Sequence, residues 1–205
     1  MVYVRKSRVH EYTKIDMIIK LDIDGVLRDM ETPMIRLYNE KFQTCMKLGD
    51  LVSYDIDKSF PLFQNIGIDG HKFFFEDHLQ ECYIEAKAYE GAAEAVKLLR
   101  KRGHVIHVVS YQPSLKAQKA TLEWLNANNI EFDDITFTNI KDKTYVPCDV
   151  IIDDCPEYID SEPESVLKVC INHSYNTDCD AMHFDSLYSF AKLIYDFDLQ
   201  PLKQK

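Results

Sequence analysis

Asp22 and Asp24 stand one residue apart, after the apolar run Ile18-Ile19-Lys20-Leu21 and just before Gly25-Val26-Leu27. Two carboxylates crowded at one site raise each other's pKa unless a cation neutralises them. Mg2+ and a substrate phosphate would meet that need, because Mg2+ is a hard ion held by carboxylates, phosphate oxygens and water. Hydrolysis of a phosphate ester requires a nucleophile, a proton donor for the leaving oxygen and positive charge around the phosphoryl group. Asp22 is the candidate nucleophile, forming an aspartyl-phosphate. Asp24 is the candidate general acid and then general base.

The remaining parts lie further along the chain. Ser110 can donate a hydrogen bond to a phosphoryl oxygen, and Lys143, with Lys141 in reserve, can offset developing charge. Asp153-Asp154 would complete a metal site with Asp22 and Asp24. Each has a plainer reading alone. An Asp pair beside a glycine is often a turn. Asp153-Asp154 before Cys155-Pro156 fits a helix cap or loop. Ser110 could end a strand, and Lys143 could be a solvated lysine. Coincidence is a poor account of the joint order: acid pair, hydroxyl, lysine, acid pair, each near the end of an expected strand.

Those strands are 17–21, 105–109 closing at Ser110, 135–138, 150–152 closing at Asp153-Asp154, and 166–171. Between them lie amphipathic helices. Ala92, Ala95, Val96 and Leu99 recur at helical spacing up to Gly103, a second helix runs from Leu115 to Asn128, and a third from Leu187 to Phe197. Strands alternating with helices imply parallel pairing through right-handed crossovers. Ligands of such sheets bind at the carboxyl ends of the strands, where the polar residues above fall. Residues 33–89 are mostly helical in pattern and rich in phenylalanine. Residues 1–16 read as an extension ahead of Met17, itself a suitable start.

Bulk properties narrow the classes. A net charge of -10 argues against duplex nucleic acid, which selects basic surfaces. It leaves a small anionic substrate open, because that responds to the local field. Six cysteines without a close pair read as reduced thiols in a cytoplasmic protein. No apolar run reaches the roughly 18 residues of a membrane span, and no signal-peptide core is expected.

In order and context these residues resemble the four motifs of the haloacid dehalogenase (HAD) superfamily. Leu21 to Leu27 matches the first, Val108-Val109-Ser110 the second, Lys143 the third and Ile151 to Asp154 the fourth. The resemblance implies a Rossmannoid α/β three-layer sandwich with a parallel sheet and a small helical cap inserted after strand one. The core would comprise residues 17–32 and 90–205, and the cap 33–89. It also implies metal ligation by Asp22, by the backbone carbonyl of Asp24 and by Asp154, with Asp153 supporting. The chain is further similar to the 5'(3')-deoxyribonucleotidase family (cytosolic type C) over roughly residues 17–160. The carriers are Asp24 to Leu27 followed by Asp29, Phe73 to Glu76, Glu90 to Lys97, and Asp142-Lys143-Thr144. This implies a Mg2+-dependent nucleotidase acting on nucleoside monophosphates, with the base under the cap. Phe74 is the first candidate for stacking on the base. Phe60, Met30 and Arg28 are further substrate-binding candidates, and packing of the cap's own core is the alternative role for the rings. A homodimer is compatible with this reading.

Four features depart from the family pattern: Arg28 in place of a small residue, Val109 where a second hydroxyl is common, Cys155 in place of a basic residue, and about fourteen residues between Glu76 and Gly91. These bear on the substrate more than on the reaction. The competing readings are a phosphatase of a sugar phosphate or polynucleotide end, and a non-enzymatic phospho-acceptor. His71, His78, His104, His107 and His173 receive no role.

Overall fold

Strand β1 (Ile18–Leu21) is short, with two isoleucines and a leucine around buried Lys20, and is hydrogen-bonded on both edges. In the computed structural model, which describes residues 16–140 and 142–197, it lies near the middle of a six-stranded sheet. The order is β3-β2-β1-β4-β5-β6 and every pairing is parallel, with β2 (Val105–Tyr111), β3 (Asp134–Thr138), β4 (Val150–Asp153), β5 (Leu167–Ile171) and β6 (Met182–Phe184). The chain winds from β1 outward through β2 to β3. It then returns to the other side of β1 for β4, β5 and β6. The sheet thus reverses direction beside β1, where a crevice opens at the carboxyl ends of the strands.

Alternation along the strands sorts the core. Ile19, Leu21, Ile106, Val108, Val150, Ile152 and Val169 share one face by register. There they join a buried cluster with α5 (Ala92–Lys101) and α8 (Leu187–Phe197). Gly91, at φ 77°, turns the chain into α5, whose buried residues are the Ala92, Ala95, Val96 and Leu99 of the sequence pattern. Lys20, Ile151 and Cys170 point to the opposite face, where α7 (Pro156–Ser161) contributes Ile159. Helices cover both faces, as near-continuously apolar parallel strands require.

Between β1 and α5 the chain forms α1 (Glu31–Phe42), three short helices α2 (Ile56–Ser59), α3 (Leu62–Asn65) and α4 (Gly70–Lys72), and π-helical turns at Phe73–Asp77 and Gln80–Ile84. This stretch has its own hydrophobic cluster, in which Phe63, Phe73, Phe74 and Phe60 meet at centroid distances of 5.0 to 5.3 Å. Ala117 and Ala120 of α6 (Leu115–Ala127) complete that cluster from the sheet side. The helical pattern of this region holds, but in short pieces. Strand β6 and helix α7 are additions to the expected elements. The expected extension over residues 1–16, apart from Asp16, lies outside the described residues, as does Lys141. No helix among the described residues is long and apolar enough to cross a membrane.

Candidate active site

Asp22 is the first residue past β1, and its N–H donates to the Ile152 carbonyl of β4 at 3.0 Å. The chain then turns tightly, with the N–H groups of Leu27 and Arg28 converging on the Ile23 carbonyl at 2.7 and 2.8 Å. Gly25 makes the turn passable. Its φ is +78°, and a Cβ there would sit 2.5 Å from Cγ of Asp154. Only glycine tolerates both the left-handed backbone and that approach.

Asp22, Asp153 and Asp154 bring carboxylate oxygens within 4.8 Å of one another, and all three residues are buried. Lys143 is buried with them, its Nζ 2.9 Å from Asp22 Oδ1 and 2.7 Å from Asp153 Oδ2. One lysine neutralises one of three carboxylates, so two negative charges are left over. Burial, with repulsion from Asp153 and Asp24, pushes the Asp22 carboxyl up to about 7 against the pull of Lys143. Burial also lifts Asp154 to about 6, opposed by His173, and raises Asp153. Burial opposes the charge on Lys143, but Asp153 and Asp22 outweigh it and raise its pKa. This donor set fits one divalent hard cation in charge and in ligand type.

The four acids are not equivalent. Both oxygens of Asp153 are engaged, one by Lys143 and the other by the Cys155 N–H at 3.0 Å. Asp153 therefore backs the lysine, and Asp22 and Asp154 face the cavity. The Asp24 side chain is not one of the buried trio, and the metal contact expected of this residue is through its backbone carbonyl. Its Oδ1 accepts from Arg28 Nε at 2.7 Å and its Oδ2 from Gln112 Nε2 at 3.0 Å, which turns the carboxylate away from the buried trio. Ser110 is buried at the end of β2, with Oγ 3.2 Å from Gln112 Nε2.

These groups line the floor of a cavity of about 600 Å³, within the range of small-molecule sites. Met30 and Phe60 reach its wall, as do Phe75, Tyr83, Tyr111 and Tyr54. Phe74 and Arg28 do not. Phe74 is fully buried against Phe60, Phe63, Phe73 and Phe75, so the stacking role expected for it cannot be exercised from there. Phe75 is the ring of that run that faces the cavity. Arg28 is likewise fully buried and touches Asp24 rather than the space a substrate would fill.

Sequence reasoning missed the support behind Asp154. Tyr175 donates its hydroxyl to Asp154 Oδ2 at 2.5 Å, and Asn176 Nδ2 donates to the Asp154 carbonyl at 2.8 Å. His173 stacks on Tyr175 at 5.2 Å and reaches the Gly25 carbonyl through Nε2 at 2.8 Å. Its Nδ1 faces the Glu31 carboxylate at 3.1 Å. Both of its partners are acceptors, so the ring carries two protons. Burial resists that charge, but Glu31 and Asp154 outweigh it and raise the pKa to about 9. The available signal was positional: His173 follows the end of β5, the same sheet edge that carries the other groups. Behind Lys143, buried Lys20 donates to its carbonyl at 2.9 Å and pairs with buried Glu162.

The chain resembles known proteins in sequence and in fold. The profile of the family described as "5' nucleotidase, deoxy (Pyrimidine), cytosolic type C protein" matches residues 16–195. "Putative nucleotidase BH1399" of Halalkalibacterium halodurans is 29% identical over 125 residues, 60% of this chain and 60% of that protein. "Putative nucleotidase OB0422" of Oceanobacillus iheyensis is 28% identical over 190 residues, 86% of this chain and 94% of that one. Among solved structures, a "putative beta-phosphoglucomutase from Thermotoga maritima" superposes with a TM-score of 0.63 at 14% identity, covering 89% of this chain and 100% of that one. At that identity the last likeness speaks for the fold alone.

Proposed function

We propose, from the premise that the chain belongs to the family of cytosolic type C 5'-deoxynucleotidases, phosphatases of the HAD type, that it is a Mg2+-dependent phosphomonoesterase of nucleoside monophosphates. The observation that carries the chemistry is the convergence of Asp22, Asp154 and Lys143, all buried, on the floor of one cavity. Lys143 holds one oxygen of Asp22, which fixes the carboxylate for attack.

In this reading an Asp22 oxygen bonds to phosphorus as the ester P–O bond breaks. The departing oxygen takes a proton from the Asp24 carboxyl. Water then attacks the aspartyl-phosphate and yields its proton to Asp24, while the bond from phosphorus to Asp22 breaks and phosphate leaves. Ester and water become alcohol and phosphate, and both aspartates are restored. Lys143 and Ser110 stand where they can donate to phosphoryl oxygens. Asp22 and Asp154, with the Asp24 carbonyl, would hold Mg2+, which would neutralise the surplus charge and screen the approaching phosphate. Residues 33–89 serve as the cap, with Phe75 and Tyr83 forming the wall against which a base can lie. The free cysteines fit a cytoplasmic setting.

The test is phosphate release from deoxynucleoside 5'-monophosphates and from sugar phosphates, with Mg2+ and with EDTA. Turnover should require Mg2+, favour the nucleotides and fall by roughly 10³-fold or more in Asp22→Asn. A protein that incorporates one phosphoryl group and stops would be a phospho-acceptor instead, and faster turnover of sugar phosphates would reassign the substrate.

A further inference from the structure

A buried arginine is costly unless its charge is matched and its donors are satisfied. Arg28 is fully buried, and Asp24 is the one carboxylate that pairs with it among the described residues, Nε to Oδ1 at 2.7 Å. Its other nitrogens reach the Tyr83 carbonyl at 3.4 Å and Thr121 Oγ1 at 3.3 Å. Its guanidinium carbon lies 4.5 Å from the Tyr83 ring centroid and 5.1 Å from that of Trp124. The arginine therefore ties the turn after β1 to α6 and to the π-helical turn at Gln80–Ile84. Asp24 and Tyr83 line the cavity, but Arg28 itself does not.

The Asp24 side chain is 27% exposed, and on that open side it has only Gln112 Nε2 at 3.0 Å. Without Arg28 it would be free to rotate, including toward a cation at Asp22 and Asp154. We propose that Arg28 is the positioning residue for Asp24, and that it fixes the proton-transfer carboxylate on the leaving-group side of the cavity. This rests on the reading of Asp24 as general acid. On this account Arg28 does not bind substrate, and it acts in the reaction only through Asp24. The proton moves from the Asp24 carboxyl to the departing oxygen, and the carboxylate left behind is received by the guanidinium.

A brace and a positioning residue separate by leaving group. A nucleoside alkoxide needs the proton, whereas p-nitrophenolate leaves without one. In the full-length Mg2+-loaded protein, Arg28→Met should lower kcat/KM for a nucleoside monophosphate by roughly 10²-fold, and for p-nitrophenyl phosphate by less than about 5-fold. Arg28→Lys, which keeps charge but loses the planar fork, should fall between. In an Asp24→Asn background, Arg28→Met should change the nucleotide kcat/KM by less than about 3-fold, because the two act as a unit. Equal losses on both substrates, or no loss, would overturn the proposal. If Arg28→Met does not fold, Arg28→Lys and Thr121→Val, which removes one anchor of the guanidinium, carry the same comparison. Asp24→Asn separates the two ideas. If it shows no leaving-group dependence, the acid reading of Asp24 falls and takes the proposal with it. If it shows that dependence and the Arg28 variants do not, only the role of Arg28 is refuted.

Discussion

Stripping divalent metal should make this protein lose stability as pH rises through neutrality, and Mg2+ should reverse the trend. The cause is the surplus of buried carboxylates. Asp22 moves from the usual 3.8 to about 7, chiefly through burial, and Asp154 to about 6 for the same first reason. A carboxyl with a raised folded-state pKa holds its proton more tightly when folded. Its stabilising contribution is complete below about pH 4 and disappears as pH rises through the folded value. For Asp22 alone this amounts to on the order of 4 kcal/mol between roughly pH 4 and pH 7. About half of this falls between pH 5.5 and pH 8, which for a domain of this size corresponds to a fall of roughly 5 °C in the melting midpoint from Asp22. His173 acts in the same direction but later. Its contribution is complete below 6.5 and lost as pH rises through about 9. Mg2+ would bind the ionised carboxylates, so its stabilisation should be small near about pH 5.5 and large near about pH 8. The assay is the thermal midpoint by circular dichroism at those two values, with EDTA and with saturating Mg2+, for wild type and Asp22→Asn. Asp22→Asn should flatten the metal-free profile. A metal-free midpoint that stays level or climbs from the lower to the higher pH, or an equal gain from Mg2+ at both, would refute the reasoning.

Lys143→Met leaves Asp22 and Asp153 without their buried cation. It should cost about 3–5 kcal/mol in urea denaturation and about 10²–10³-fold in kcat. Gly25→Ala forces a side chain onto a left-handed backbone and into Asp154 Cγ at 2.5 Å, so calorimetry should show Mg2+ affinity reduced by at least about 10-fold while the circular dichroism spectrum stays native. His173→Ala removes the donor to the Gly25 carbonyl and the stacking partner of Tyr175. Mg2+ affinity should fall roughly 10–100-fold, with a smaller change in nucleotide KM. Unchanged affinity would reduce His173 to a packing role.

The parts of the fold that the sequence exposed are those with a strong period or a strand end. The α5 pattern at Ala92, Ala95, Val96 and Leu99 predicts its buried face, and the mostly apolar run of β1 predicts a strand covered on both sides, with Lys20 as its one charged residue. Strand β6 is three residues at the sheet edge, too short to show alternation, and its Met182 is exposed. Phe73, Phe74 and Phe75 are the same residue type in a row. Which one faces the cavity depends on the π-helical turn they form, closed by the His78 N–H on the Phe73 carbonyl at 3.0 Å. No local pattern announces that winding. Arg28 misled for a related reason. A cation immediately after a motif expected to engage phosphate suggests the substrate, but the turn carries its side chain to Asp24 and out of the cavity lining instead.

The charges behind the site follow one arrangement. Three carboxylates that face the cavity are each held by a neighbouring side chain: Asp24 by Arg28, Asp22 by Lys143 with Asp153 behind it, and Asp154 by Tyr175, which stacks on His173. Lys20 and Glu162 repeat the device one layer deeper, fixing the backbone of Lys143. Replacing such buried pairs with apolar residues of similar size is often neutral or stabilising, so stability is a weak explanation for keeping them. What they supply is direction. A carboxylate in water samples many rotamers, whereas one gripped by buried donors presents the same oxygen to each substrate, and positioning of that kind is most of what phosphoryl transfer asks of a protein. The surplus of two charges that remains is what a bound dication would neutralise.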